Sequence, residues 1–453
     1  MIFLDNEYYF EKAQILKAIA HFSLPMIIGM SVSVIYTILN AYFIGLLHNS
    51  VMMTAITLTL PIFALLMALG NLVGVGSGTY ISRLLGEKNY SKIKEVSSFS
   101  FYISIILGII VIMIGLIFGN NITTGLGASA ASFTYTKQYI LVMLIGAPFI
   151  ILNFSLEQIV RAEGAAMVSM IGMFVSVGIN LILDPIFIFA FHWGVPGVAA
   201  ATLIGNVGAV LYYSWYIIRK SDYLSFSIKY FKIDKIVAIE VFKIGVPIAL
   251  MTAFMGLTAL VFNQFAASYG DASVASYGIA QRILQFPELI IMGLCEGVVP
   301  LIAYNFIANK KRMKSTIAFT SLIVAILAML FAMIVFFTGD YLIGVFTTDP
   351  QLIEIGGYII NVIFLSLFVT GFTTLIIGIF QATGQGRAAI IMSFAQGLLM
   401  IPILFILKSI AGFHGIIWSI FIADSLALVI GLIVLYVLRH KLTVNMDEIK
   451  AME

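Results

Sequence analysis

The chain presents the same series of landmarks twice, about half a length apart. Pro25 in Phe22-Ser-Leu-Pro-Met corresponds to Pro247 in Ile244-Gly-Val-Pro-Ile, and Gly70-x-x-x-Gly74 to Gly293-x-x-x-Gly297. Ala162-Glu-Gly164 corresponds to Ala382-Thr-Gly384, Pro185 to Pro402 and Gly197 to Gly415, with every offset between 217 and 223 residues. In an apolar chain one such match is chance, but five in order are a duplication. Duplicated membrane halves are characteristic of transporters, in which two bundles rock around a site between them.

That the halves are membrane halves follows from composition. With 61% of 453 residues hydrophobic and only 10% charged, the chain has too few polar groups to cover a water-facing surface. A spanning helix needs about 20 apolar residues. Twelve such runs are present: 16–45, 52–84, 96–118, 135–158, 165–190, 195–218, 238–268, 274–307, 314–338, 352–381, 387–408 and 412–438. The expected fold is an all-α integral membrane protein of twelve transmembrane helices in two pseudo-symmetric six-helix lobes. Residues 1–218 form the N-lobe, 219–237 a linker and 238–453 the C-lobe.

Charge sets the orientation. Of 24 Lys and Arg residues, 21 lie in the termini and the even-numbered loops; Lys137 and Lys408 lie on the other side, and Arg282 lies inside a span. The positive-inside rule then places both termini in the cytoplasm. Residues 1–15 are polar, mixed in charge and without a cleavage pattern, so no cleavable signal peptide is expected. The stretch from Tyr8 to His21 is expected to lie along the interface. A single cysteine, Cys295, excludes an intramolecular disulfide and a cysteine metal cluster. No cofactor, no nucleic acid and no second subunit is expected. The basic, aromatic-dotted linker reads as a cytoplasmic connector resting on the bilayer rather than a nucleic-acid patch.

Gly70, Gly74 and Gly78 recur every fourth residue of the second span and form a smooth face for a neighbouring helix. Static close packing and a sliding surface both fit that face. Ionisable residues inside spans are costly and usually functional. The candidates are Glu157 in the fourth span, Asp184 in the fifth, Arg282, Glu288 and Glu296 in the eighth, and Asp424 in the twelfth. Five acids against one Arg make an interior suited to cations. Asn180 lies one turn before Asp184 on the same face, and Pro185 releases the carbonyl of Leu181 between them. Carboxylate, amide oxygen and loose carbonyl are hard ligands suited to a small cation, and the carboxyl can also carry a proton. Glu288 and Glu296, eight residues apart, share roughly one stripe at different depths, and Arg282 points to the opposite flank. Glu157 and Arg161, four apart, read as a structural ion pair.

An intramembrane enzyme is a weaker reading. The spans hold no paired aspartates in a protease-like motif and no nucleophile beside a base, and the five histidines sit at helix ends or in loops. A channel would need a repeated ring of ligands, and the halves differ in their charges.

At these residues the chain resembles the multidrug and toxic compound extrusion (MATE) family, over essentially its whole length. The resemblance is carried by Phe22-Ser-Leu-Pro-Met, Asn40-Ala-Tyr-Phe-Ile-Gly45, Gly74-Val-Gly-Ser-Gly78, Arg161-Ala-Glu-Gly164, Asn180-Leu-Ile-Leu-Asp-Pro185 and Gln381-Ala-Thr-Gly384. The most specific segment is Phe286-Pro-Glu-Leu-Ile-Ile-Met-Gly-Leu-Cys-Glu-Gly297. The resemblance implies two six-helix lobes in a V, alternating access, and export of organic cations and amphipathic drugs in exchange for H⁺ or Na⁺. It also implies an N-lobe cation site at Asn40, Asn180, Asp184 and Thr202. The family usually has Asp at the first of these positions; Asn40 leaves Asp184 the only titratable member, which favours a proton over Na⁺ at Asp184 and Asn180. One subgroup carries C-lobe acids where this chain has Asn263, Gln264 and Asn361, so a second cation site is expected to be absent. Glu288, Glu296, Arg282 and Asp424 remain as substrate-facing or charge candidates. A flippase for a lipid-linked saccharide shares the two-lobe plan, but a pyrophosphate headgroup calls for a cationic cavity.

Overall fold

The computed structural model describes residues 6–45, 49–347 and 349–443. Among them the helices run α1 (Asn6–Glu11), α2 (Ile15–Gly45), α3 (Ser50–Gly86), α4 (Tyr90–Gly125), α5 (Phe133–Ile145), α6 (Ala147–Ala162), α7 (Ala166–Pro185) and α8 (Val195–Arg219). They continue as α9 (Lys235–Ala267), α10 (Asp271–Ala308), α11 (Lys310–Gly344), α12 (Pro350–Ala382), α13 (Gly386–Gly397), α14 (Met400–Val437) and α15 (Arg439–Thr443). Short polar turns start several of them. Asn49 accepts hydrogen bonds from the Val51 and Met52 amides, Asn89 from Lys92, Asn309 from Arg312 and Asp349 from Gln351. Each cap satisfies amides that the first turn of a helix leaves without a partner.

Among the described residues ten stretches are long and apolar enough to cross a bilayer, and α5 with α6, bent by 55° at Gly146, make an eleventh. One of the ten, Gly386–Val437, is 52 residues long. As a single rod it would reach about 78 Å at ~1.5 Å per residue, more than twice the ~30 Å hydrocarbon core. It is broken at Gly412, whose φ of 58° is not helical. Divided there, it gives two spans, and the total is the expected twelve. Large apolar side chains cover the outside, with Ile117 71% and Phe337 80% exposed, as lipid contact requires.

By packing, the chain divides inside two helices and not at the linker. One compact unit is Ile28–Ala249; the other joins the residues up to Ile27 to those from Leu250 onward. The breaks follow Pro25 in α2 and Pro247 in α9 by the same short step, one repeat apart. The cause is close helix contact at small residues. A Cβ on Gly245 would lie 1.8 Å from the Leu72 carbonyl oxygen, and one on Gly76 2.0 Å from that of Val241, so the start of α9 is held against α3. In the other unit a Cβ on Gly297 would lie 2.6 Å from Ser23 Cα, and the Ser23 hydroxyl donates to the Leu294 carbonyl at 3.1 Å. The start of α2 is thereby held against α10.

Within Ile28–Ala249 the glycine face of α3 packs on α6. Gly70 meets Ile151 and Phe154, Gly74 meets Ser155, and Gly78 meets the Gln158 carbonyl. The linker is strapped to α4: Ser98 donates to Ser225 O at 2.8 Å, Tyr102 to Phe226 O at 3.0 Å, and Phe101 stacks on Phe226. Lys92 bridges Glu95 at 2.9 Å and Asp234 at 2.5 Å. That bond to Lys92 holds the Asp234 carboxyl below its ordinary range. The linker's charges thus serve intramolecular docking, more than the resting contact expected from its sequence.

In the other unit α1 packs on α10 and α11. Tyr9 stacks on His21 at 3.7 Å, Phe10 stacks on Tyr304, and Arg312 donates to the Tyr9 and Phe10 carbonyls. The helices α10 and α12 are its most buried, and they pack along their lengths.

Candidate functional site

Two polar centres stand out, one in each unit. The first lies between α7 and α8. Gly205 lets these helices approach closely, since a Cβ there would lie 2.6 Å from the Ser176 carbonyl oxygen. Across that contact Asn180 Nδ2 donates to Thr202 Oγ1 at 3.2 Å, and Thr202 Oγ1 donates to the Val198 carbonyl at 3.0 Å. Anchoring the nitrogen fixes the plane of the Asn180 amide. Asp184, one turn on, is fully buried. Directly after it, Pro185 is followed by a π-helical turn, Ile186–Ala190, a local widening common at functional sites.

The pocket is larger than the sequence suggested. Tyr139 on α5 is buried within electrostatic reach of Asp184 and hydrogen-bonding reach of Thr202 and Thr59. Asn206 Nδ2 donates to the Thr202 carbonyl at 2.7 Å, and Asn153 Nδ2 donates to Asn206 Oδ1 at 2.8 Å. Single tyrosines and asparagines in apolar spans have no spacing pattern to betray them. The structure joins Asn180 to Thr202 by a hydrogen bond, with Asp184 one turn further along α7 from Asn180. Position 40 lies in α2, but the side chain of Asn40 is outside the described residues. Burying an ionised carboxylate is expensive unless something neutralises it. A proton or a small cation on Asp184, beside amide and hydroxyl oxygens, fits this donor set.

The second centre is a pair of adjoining cavities between α9, α10, α12 and α14, of about 230 and 130 Å³. Both are lined by Met255, Glu288, Leu367, Thr370 and Gln396. Asp424 faces the larger chamber and Glu296 the smaller. Three of the acids read from the sequence therefore line these two adjoining cavities. Arg282 lines neither chamber and is exposed. Glu157 and Arg161 are buried on α6 near Tyr213, where Arg161 donates to Gln158.

Outside the membrane-spanning segments, Glu163 in the α6–α7 turn is buried, and the Ser221 hydroxyl donates to it at 2.6 Å. Burial pushes its carboxyl up to about 7.

Three comparisons with known proteins bear on the chain as a whole. The sequence model of the MatE family matches residues 25–186 and again 247–406, one match per repeat. The chain belongs to the MATE family. A multidrug export protein MepA from Staphylococcus aureus strain MSSA476 is 52% identical over 445 residues, covering 98% of this chain and 99% of its own. MepA of Staphylococcus haemolyticus is 51% identical over 441 residues, covering 97% and 98%. Among solved structures, an outward-facing multidrug resistance MATE family transporter superposes with a TM-score of 0.91 at 23% identity, covering 98% of this chain and 99% of that one. A transporter of the MOP superfamily from Pyrococcus furiosus, described as having a binding pocket of reversed polarity, gives 0.89 at 23%, covering 98% and 100%. The twelve-helix, two-lobe MATE fold is thus the fold of this multi-pass membrane protein. Other MATE structures of similar TM-score were solved in bent and straight conformations.

Proposed function

We propose that this MATE transporter exports cationic and amphipathic drugs across the cell membrane in exchange for H⁺ or Na⁺, by alternating access, with both termini in the cytoplasm. It does so as a transporter and not an enzyme. The observation that carries the reading is Asp184, fully buried beside the Asn180–Thr202 hydrogen bond, in a chain half identical to multidrug exporters along its whole length. A buried acid that must be neutral or cation-bound when closed, and can discharge when opened, is the minimum device for coupling an ion gradient to a conformational cycle. With Asn at position 40, Asp184 carries the titratable charge of the sequence-defined set, which favours the proton. The acids of the second centre supply a substrate-facing charge.

The test is efflux of ethidium from proteoliposomes under separately imposed proton and sodium gradients. Transport driven by one gradient, and lost in Asp184→Asn, supports the class and names the ion. Equal transport in the variant removes Asp184 from the mechanism. Wild-type transport under neither gradient overturns the exporter reading.

A further inference from the structure

The segment joining α8 to α9 docks with only part of its side chains. Leu224 and Val237 are buried, Phe226 stacks on Phe101, and Phe231 lies against Tyr102 at 4.9 Å. The other apolar side chains face away from the unit. Ile228 is 66%, Ile233 79% and Ile236 63% exposed, and Lys229, Lys232 and Lys235 are exposed among them. Isoleucines left in water forgo the gain of burial, so three of them on one short segment call for an apolar cover.

The nearby acids do not supply a counter-charge for these lysines. Asp234 binds Lys92 and accepts from the Ile236 amide, and Glu240 binds Arg83 and Lys243. Glu95 binds Lys92 at 2.9 Å and reaches Lys232 only at 3.6 Å. The linker's other acid, Asp222, lies near Glu163 at the α8 end. Lys229 and Lys235 make no ion pair among the described residues.

The depth of this face follows from α4. The linker is fastened to Ser98, Phe101 and Tyr102. Steps of three and four residues carry the same stripe of α4 on through Ile109, Met113 and Leu116, which are 48%, 54% and 65% exposed on the lipid-facing outside. From Tyr102 to Ile109 the helix rises only about 10 Å. The isoleucines and lysines therefore lie at the foot of a lipid-covered wall, where a headgroup layer roughly 5–8 Å thick begins.

We propose that the outer face of this linker is a docking surface for anionic phospholipid. The isoleucines enter the boundary between headgroups and acyl chains, and Lys229, Lys232 and Lys235 pair with the lipid phosphates. A soluble anion would leave the isoleucines in water, and an apolar partner would leave the ammonium groups without a counter-charge. A zwitterionic headgroup brings its own ammonium beside the phosphate, which the lysines repel. The surface is independent of what the transporter carries and of its coupling ion.

The test is made on purified full-length protein in dodecyl maltoside, given equal amounts of phosphatidylglycerol and phosphatidylcholine, with retained lipid counted by native mass spectrometry. The expected result is phosphatidylglycerol retained about threefold or more over phosphatidylcholine. Lys229→Gln with Lys235→Gln is expected to lower that ratio about twofold or more. Lys311→Gln with Lys314→Gln, the same loss of charge at the start of α11, leaves it unchanged. Ile233→Ser with Ile236→Ser lowers phosphatidylglycerol retention with every lysine in place. All six of these side chains are exposed, so the substitutions spare the packed interior. An excess of free glycerophosphate is expected not to displace the lipid, and this arm needs no variant. Equal retention of the two lipids by the wild type overturns the proposal. Equal losses in the two lysine pairs overturn it in favour of general positive charge, and displacement by glycerophosphate overturns it in favour of a soluble-anion site.

Discussion

Asn206 and Asp424 occupy matching places in the two repeats, each nine residues after the paired glycines Gly197 and Gly415. Their surroundings differ. Asn206 is tied on both sides, receiving from Asn153 and donating to Thr202 O, and closes a polar ladder that reaches Asn180. Asp424 is held by the Thr370 and Ser366 hydroxyls and lines a chamber of about 230 Å³. In one repeat an acid, Asp184, is fully buried; in the other an acid, Asp424, lines a cavity. A closed oxygen-rich pocket suits a small ion, and an open one with aromatic walls suits an organic cation. The two repeats share the helices and differ in the single side chains that line each centre.

The largest effect that would break this comparison is on coupling. Asp184→Asn is expected to reduce gradient-driven drug efflux to background in proteoliposomes, with the protein still monodisperse on gel filtration. Next comes the exchange of chemistry between repeats. Asn206→Asp buries an acid in the ladder and is expected to cost about 3–5 kcal/mol, as an uncompensated buried charge does. Asp424→Asn keeps an oxygen acceptor for Thr370 and Ser366 in a side chain of the same shape and is expected to leave the thermal midpoint within a few degrees. Reversed stabilities would show that the ladder, and not the chamber, tolerates charge.

A smaller effect is expected where each repeat holds the first helix of the other. Gly245→Ala drives a Cβ into the Leu72 carbonyl and is expected to cost about 1–3 kcal/mol through backbone displacement. Ser23→Ala, its counterpart, removes one hydrogen bond to Leu294 and is expected to cost about 1 kcal/mol. Denaturation by heat followed by light scattering compares them. The smallest effect concerns the turns Ala162-Glu-Gly164 and Ala382-Thr-Gly384. Glu163 keeps its proton in the folded state up to about 7, above its ordinary 4.5. The folded state therefore binds more protons than the unfolded one in that window, so stability falls as pH rises from about 4.5 to about 7 and then levels off. Glu163→Gln is expected to flatten that slope; an unchanged slope would place the titration elsewhere.

The duplication, the twelve spans and the Asn180–Asp184 pair were legible because each leaves a periodic or spaced pattern in the chain, whereas Thr202 entered only through the resemblance to the MATE family. The family match repeats at residues 25 and 247, the same offset as Pro25 and Pro247. The handover of α2 and α9 between units was not legible, because it depends on which backbone meets Gly76, Gly245 and Gly297, and a glycine does not name its neighbour. The chamber was half legible. Glu288, Glu296 and Asp424 announce themselves as charges in apolar spans, whereas Thr370 and Ser366 are placed beside Asp424 only by the packing of α12 on α14. Arg282, equally conspicuous in sequence, lines neither cavity.

The measurement that tests the division of labour most directly is ethidium exchange across proteoliposomes of Asp184→Asn, with and without an imposed ion gradient. The account predicts that exchange down the drug's own gradient persists while ion-driven accumulation is lost, because the substrate chamber is intact and the coupling acid is gone. Retention of ion-driven accumulation would contradict it, and so would loss of exchange in a variant that still folds.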